Sequence, residues 1–219
     1  LIGVFGFILL FIKDRLLALY FYLWIVIPYG AVSFFSKILF PRYLIFFASI
    51  FTFLGIYFIA SQKDIKLRLL LIVTFLVSVG YLNYAIIFNP AVALLPPVDR
   101  GQYLEGWPAG WGMSEIVSFA REKSKEKPVV LLAEGNFGTS GDVLDSLLSR
   151  NDKISIQGYW PLGDTELKAN QKLLKDHYVY VVFAHRDTFP KDWPIRLIKK
   201  YDKPGKHSSN YLYELTNNP

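Results

Sequence analysis

Three uncharged runs dominate the first 88 positions: Leu16–Ser36, Tyr43–Ala60 and Leu69–Phe88, with 21, 18 and 20 residues. At a helical rise of about 1.5 Å per residue, each is long enough to cross a hydrocarbon layer of about 30 Å. A soluble helix of that length normally keeps a polar face, and these runs keep none. The opening run Leu1–Ile12 is too short to cross alone and is taken as the end of a truncated span. It carries no basic leader and no small-residue cleavage site, so it is not a signal peptide, and the chain reads as a C-terminal fragment. Pro28 with Gly30 should kink the helix that holds them. The pattern therefore predicts a multi-pass α-helical membrane region over 1–88, with a partial span at 1–12 and full spans at 16–36, 43–60 and 69–88.

Beyond Phe88 the pattern changes. Residues 89–97 (NPAVALLPP) form an extended, Pro-punctuated linker. From residue 98 to 219, short apolar runs alternate with amphipathic ones. Ser114 caps a helix carrying Ile116, Val117, Phe119 and Ala120 on one face. Strands are predicted at 128–133 (PVVLLA), 153–157 (KISIQ), 178–184 (YVYVVFA) and 209–215 (SNYLYEL), and helices at 138–150, 164–176 and 193–201. Strand and helix alternate about every 25 residues, which predicts a small three-layer α/β domain with a mostly parallel sheet.

Charge separates the same two regions. The chain has 24 Lys and Arg against 18 Asp and Glu, a net of +6. Residues 1–88 hold seven basic and two acidic side chains; residues 89–219 hold seventeen and sixteen. The high pI is thus a property of the apolar region, and the second region has no basic excess with which to neutralise a nucleic-acid backbone. Lys13, Arg15, Lys63, Lys66 and Arg68 cluster on two loops that the positive-inside bias places in the cytoplasm. Residues 37–42 and 89–219 then face the extracytoplasmic side of the cell membrane. The chain has no cysteine, which removes disulfides, thiolate catalysis and Cys-ligated metals. The histidines show no metal-ligand spacing either, so no cofactor or metal is expected.

Lys37 and Arg42 run against the charge bias. Together with Tyr43 they put two cations beside a rigid Pro41 at the outer end of a helix pair. A lipid-linked phosphate at the outer leaflet suits such a clamp, because Arg binds phosphate oxygens bidentately. The blander account is that both cations snorkel to headgroups. Glu134-Gly-Asn-Phe-Gly-Thr-Ser-Gly141 joins a strand to a helix and can either cradle a phosphate or make an ordinary capped turn. Glu134, Asn136, Gln157, His185 and Asp187 fall at or beyond C-terminal strand ends, where open α/β sheets bind ligands. Two aromatic loops, residues 106–111 (GWPAGW) and 158–161 (GYWP), can stack on sugars, lie on a membrane or pack within the protein.

The loop Phe40-Pro-Arg-Tyr43, the phrase at 99–112 (DRGQYLEGWPAGWG) and Gly158-Tyr-Trp-Pro161 together resemble the bacterial protein O-mannosyltransferase and aminoarabinose transferase group, membrane glycosyltransferases of the GT-C class. The resemblance implies transfer of a sugar from a polyprenyl-phosphate donor to a protein or glycan acceptor at the extracytoplasmic face. It also implies a catalytic carboxylate in a loop upstream of residue 1, and assigns Lys37 and Arg42 to the donor phosphate. The rival expectation is a non-enzymatic, membrane-anchored protein that binds a ligand or assists assembly.

Overall fold

The structure, a computed structural model, describes residues 2–37, 41–135 and 140–217. The chain divides into two compact units, Leu1–Pro96 and Pro97–Pro219.

The first unit is helical: α1 (Ile2–Lys13), α2 (Arg15–Phe35), a 3-10 turn at Pro41–Leu44, α3 (Ile45–Ser61) and α4 (Ile65–Phe88). The charges that interrupt the apolar runs start the next helix. Asp14 accepts from the Leu17 amide at 3.0 Å, and Asp64 from the Lys66 amide at 2.9 Å. Each carboxylate satisfies a donor at a helix start and complements its positive end. Pro28 lies inside α2, which runs on through it.

The expected multi-pass region is corrected. Among the described residues only α2 and α4 are long and apolar enough to cross a membrane. α3 has 17 residues, a length of about 26 Å. The 3-10 turn takes Tyr43 and Leu44, the first two residues of the apolar run, so a usable span becomes a shorter helix packed against α1. α2 and α4 each bury a single residue, Ala18 and Ala85. Their large side chains stay outside: Leu16, Ile27 and Val77 are 79%, 63% and 65% exposed.

Two glycines set the contact between α1 and α3. A Cβ on Gly6 would stand 1.9 Å from the Leu54 carbonyl oxygen, and one on Gly3 would stand 2.6 Å from that of Phe51. Bare backbone is required for this approach, as at other close helix crossings. Gly6→Val should cost about 1–3 kcal/mol or more, read as a lower thermal midpoint in detergent micelles. Gly80→Val, where nothing lies within 4 Å of the added carbon, should leave the midpoint nearly unchanged.

The second unit opens with the single turn α5 (Pro97–Arg100) and carries α6 (Met113–Lys123), β1 (Val129–Glu134), α7 (Ser140–Ser146), β2 (Ile154–Tyr159), α8 (Asp164–Asn170), β3 (Tyr178–Phe183), β4 (Ile195–Asp202) and β5 (Ser209–Leu215). The sheet order is β2-β1-β3-β5-β4. β1 pairs in parallel with β2 and β3, whereas β5 pairs antiparallel with β3 and β4. The mostly parallel sheet is thus corrected to a mixed one.

The reason lies in residues 193–201, expected as a helix and found as β4. Leu197, Ile198 and Tyr201 are spaced like a helix face, but a register shift between Leu197 and Lys199 inserts an extra residue into a strand. Such a bulge breaks the period of two. β4 is an edge strand whose Arg196, Lys199 and Lys200 are exposed, charges that discourage pairing with another chain.

Helices cover both faces of the sheet. On one face Ile116 and Val117 of α6 and Leu144 of α7 pack on Leu131, Val182 and Leu212. On the other, Leu162 and α8's Leu167 pack on Leu132, Val181 and Phe183. β1 is buried at every position, which explains its unbroken apolar run.

Candidate functional site

The expected phosphate clamp lies in the first unit. Lys37 is exposed just beyond α2, and Tyr43 is 42% exposed in the 3-10 turn. The side chain of Arg42 lies outside the described residues.

The strand-end residues of the second unit divide by role. Glu134, the last residue of β1, is 1% exposed and pairs with Arg186. The Arg186 guanidinium lies 5.4 Å from the Phe183 ring and 5.2 Å from that of Trp193. Two aromatic surfaces and one carboxylate thus share a single cation. The second carboxylate oxygen of Glu134 is buried and accepts no hydrogen bond among the described residues.

His185 follows β3 by two residues and meets both aromatic loops. Its ring stacks on Trp107 at 4.7 Å and 21°, and meets Trp160 at 4.9 Å and 61°. Its Nε2 is buried and has no hydrogen-bond partner among the described residues. Burial pushes the imidazole pKa below its ordinary value; Glu134 opposes this, and Lys203 and Arg186 reinforce it. The ring is therefore neutral at pH 7 and keeps one donor and one acceptor nitrogen. Asp187 is tied elsewhere, accepting from the Tyr211 hydroxyl at 3.2 Å.

The loop that carries Trp107 is strapped to the β4–β5 hairpin through its own carbonyls. Lys203 Nζ donates to the Gly106 carbonyl at 2.9 Å, the Ser208 hydroxyl to that of Glu105, and Asn210 Nδ2 to that of Trp111 at 2.6 Å. The strap ends at Gly112, where φ is 85° and a Cβ would meet the Tyr201 side chain at 2.5 Å. Lys203 is 1% exposed, and burial pulls its ammonium pKa down to about 8.

Gln157 accepts from the Tyr159 hydroxyl at 2.9 Å, and Asn170 donates to the same hydroxyl at 3.0 Å. These contacts tie β2 to α8. Asn136 lies outside the described residues. The Ser140 hydroxyl donates to the Glu134 carbonyl at 2.9 Å; residues 136–139, the middle of the expected phosphate-cradling stretch, lie outside the described residues. An open cleft of about 290 Å³ is lined by Gly135, Gly141, Asp142, Asp145, Ile156 and Gly158. Among the described residues no group of three or more His, Cys, Asp or Glu could hold a metal ion.

The cluster therefore consists of His185 against Trp107 and Trp160, the Glu134–Arg186 pair, which adjoins it in sequence at Arg186 and acts on it by charge, and Lys203 holding the Trp107 loop. Sequence reading marks the tryptophans as loops, and Glu134 and His185 as strand ends. It misses Lys203, because a lysine before Pro-Gly in a hairpin turn normally points to water. Compared with known protein families, characterised proteins and solved structures, the chain matches none.

Proposed function

We propose that the chain is part of a membrane glycosyltransferase that moves a sugar from a polyprenyl-phosphate donor to an acceptor at the extracytoplasmic face. The observation that carries the reading is the end of α2. A helix with its apolar side chains turned outward leads directly to an exposed cation, Lys37, and then to the Pro41–Leu44 turn. Apolar surface beside a cation is the chemistry that a prenyl chain with a phosphate head requires. The general-base carboxylate is assigned to no residue of this sequence. Asp14 and Asp64 are engaged as helix caps, which fits neither for proton transfer.

The test is binding of undecaprenyl phosphate to the chain in micelles. Each charge-assisted contact is worth about 1.5–3 kcal/mol, so Lys37→Ala with Arg42→Ala should weaken binding by about tenfold or more. Unchanged affinity removes the donor-site assignment. The rival reading, a membrane-anchored binding protein without transferase chemistry, is favoured by the aromatic cluster of the second unit and predicts no lipid-phosphate binding.

A further inference from the structure

We propose that the C-terminal strand ends of the α/β unit form a saccharide-binding ledge. The indoles of Trp107 and Trp160 take the apolar face of a neutral hexopyranose, and His185 against them, with Glu134 of the same cluster, takes its hydroxyls. The ledge stands without the transferase reading: a chain with no affinity for lipid phosphate would still bind sugar here.

A pyranose presents a C–H face and a rim of hydroxyls, so its site needs flat aromatic surface beside hydrogen-bonding groups. Trp107 and Trp160 are 46% and 60% exposed, and both converge within 5 Å of one imidazole. Exposed tryptophans grouped on one residue are a costly use of apolar surface unless something covers them. Trp107 is held in place by the bonds from Lys203, Ser208 and Asn210 to its loop. A preformed platform binds more tightly because less ordering is required.

The polar half of the site is His185, which lies against both indoles, and the Glu134–Arg186 pair, whose carboxylate acts electrostatically on that imidazole. Glu134 has one oxygen on Arg186, and its other oxygen and the His185 Nε2 are buried with no hydrogen-bond partner among the described residues. Each such orphan costs about 1–3 kcal/mol and is rare in folded proteins. Sugar hydroxyls both donate and accept, so the rim of one ring carries partners for a carboxylate oxygen and for an imidazole nitrogen. Trp160, the more exposed of the two indoles packed on His185, is the side chain whose shift would open the imidazole to a hydroxyl. The charges of Glu134 and Arg186 are spent on each other and the Lys203 ammonium on the Gly106 carbonyl, so the groups offered to a sugar are hydrogen-bonding ones, which suits a neutral ring.

The chain in a zwitterionic, sugar-free detergent is titrated with mannotetraose, cellotetraose and maltotetraose, following tryptophan fluorescence and saturation transfer to the sugar C–H protons. At least one sugar should bind saturably. Trp160→Ala and Trp107→Ala should each weaken it about tenfold, Glu134→Gln should weaken it too, and Trp24→Ala in α2 should leave it unchanged. Amide exchange of β1 and β3 shows whether each variant is folded. Should Trp107→Ala unfold, the exposed Trp160→Ala carries the test. No saturable binding by any of the three sugars overturns the ledge, as does binding that ignores both tryptophans. So does a dependence on Trp107 and Trp160 seen only with phosphatidylglycerol vesicles, which would make the ledge a membrane contact.

Discussion

Replacing Arg186 with methionine should destabilise the α/β unit by about 3 kcal/mol, one of the two largest effects expected in this protein. Removing one member of a buried ion pair typically costs about 3–5 kcal/mol because the other charge is left without a counter-ion. Glu134 is 1% exposed at the end of a strand buried throughout, so water cannot replace the guanidinium. The Arg186 side chain is 28% exposed, which places the expected loss at the lower end of that range. Methionine keeps much of the contact with Phe183 and Trp193, so the loss reports the charge rather than the packing. The measurement is amide exchange of β1 and β3 in the full chain in micelles. The double variant Glu134→Leu with Arg186→Met should recover most of the loss, since an apolar pair of similar volume is often as stable as the ions. If the double variant loses as much as the sum of the two singles, the ion pair is not what stabilises this edge.

How much of this was legible beforehand depends on which force fixes each element. β1 and β3 lie within a residue or two of the apolar runs PVVLLA and YVYVVFA, because burial on both faces leaves no polar position to confuse the pattern. β4 is not legible in that way. Its bulge gives the spacing of a helix, and its strand character comes from pairing with β5, a partner encoded further along the chain. The end of α3 fails for a similar reason. Hydropathy counts Tyr43 and Leu44 as part of a span, while Pro41 starts a 3-10 turn that consumes them. In the cluster, the rule that strand ends face ligands picks out Glu134 and His185, whereas nothing in the local pattern marks Arg186 as the partner of a residue 52 positions away. The burial of Lys203 depends on a carbonyl 97 residues away in sequence, and nothing local announces it.

Lys203 supplies the other large effect, one that depends on pH. Its ammonium ordinarily titrates at 10.5 and is pulled down to about 8 in the folded chain. The sign follows from proton counts. Between pH 8 and pH 10.5 the unfolded lysine holds its proton while the folded one has lost it. Stability must therefore rise with pH across that window. At about 1.4 kcal/mol per pKa unit the full rise is about 3 kcal/mol, and below pH 8 the burial cost is present in full. Tyrosines work the other way: burial raises Tyr180 to about 12, so its contribution falls as pH passes 10 and masks the upper part of the rise. The difference between the natural chain and Lys203→Met isolates the lysine, because the tyrosines are common to both. In denaturant unfolding between pH 7 and pH 10, the natural chain should gain stability relative to the variant. The variant should also loosen the Trp107 loop at every pH, since the Gly106 carbonyl loses its donor. A parallel pair of curves would mean that the ammonium is solvated in the folded chain, and that Lys203 holds the loop no more firmly than a surface lysine would.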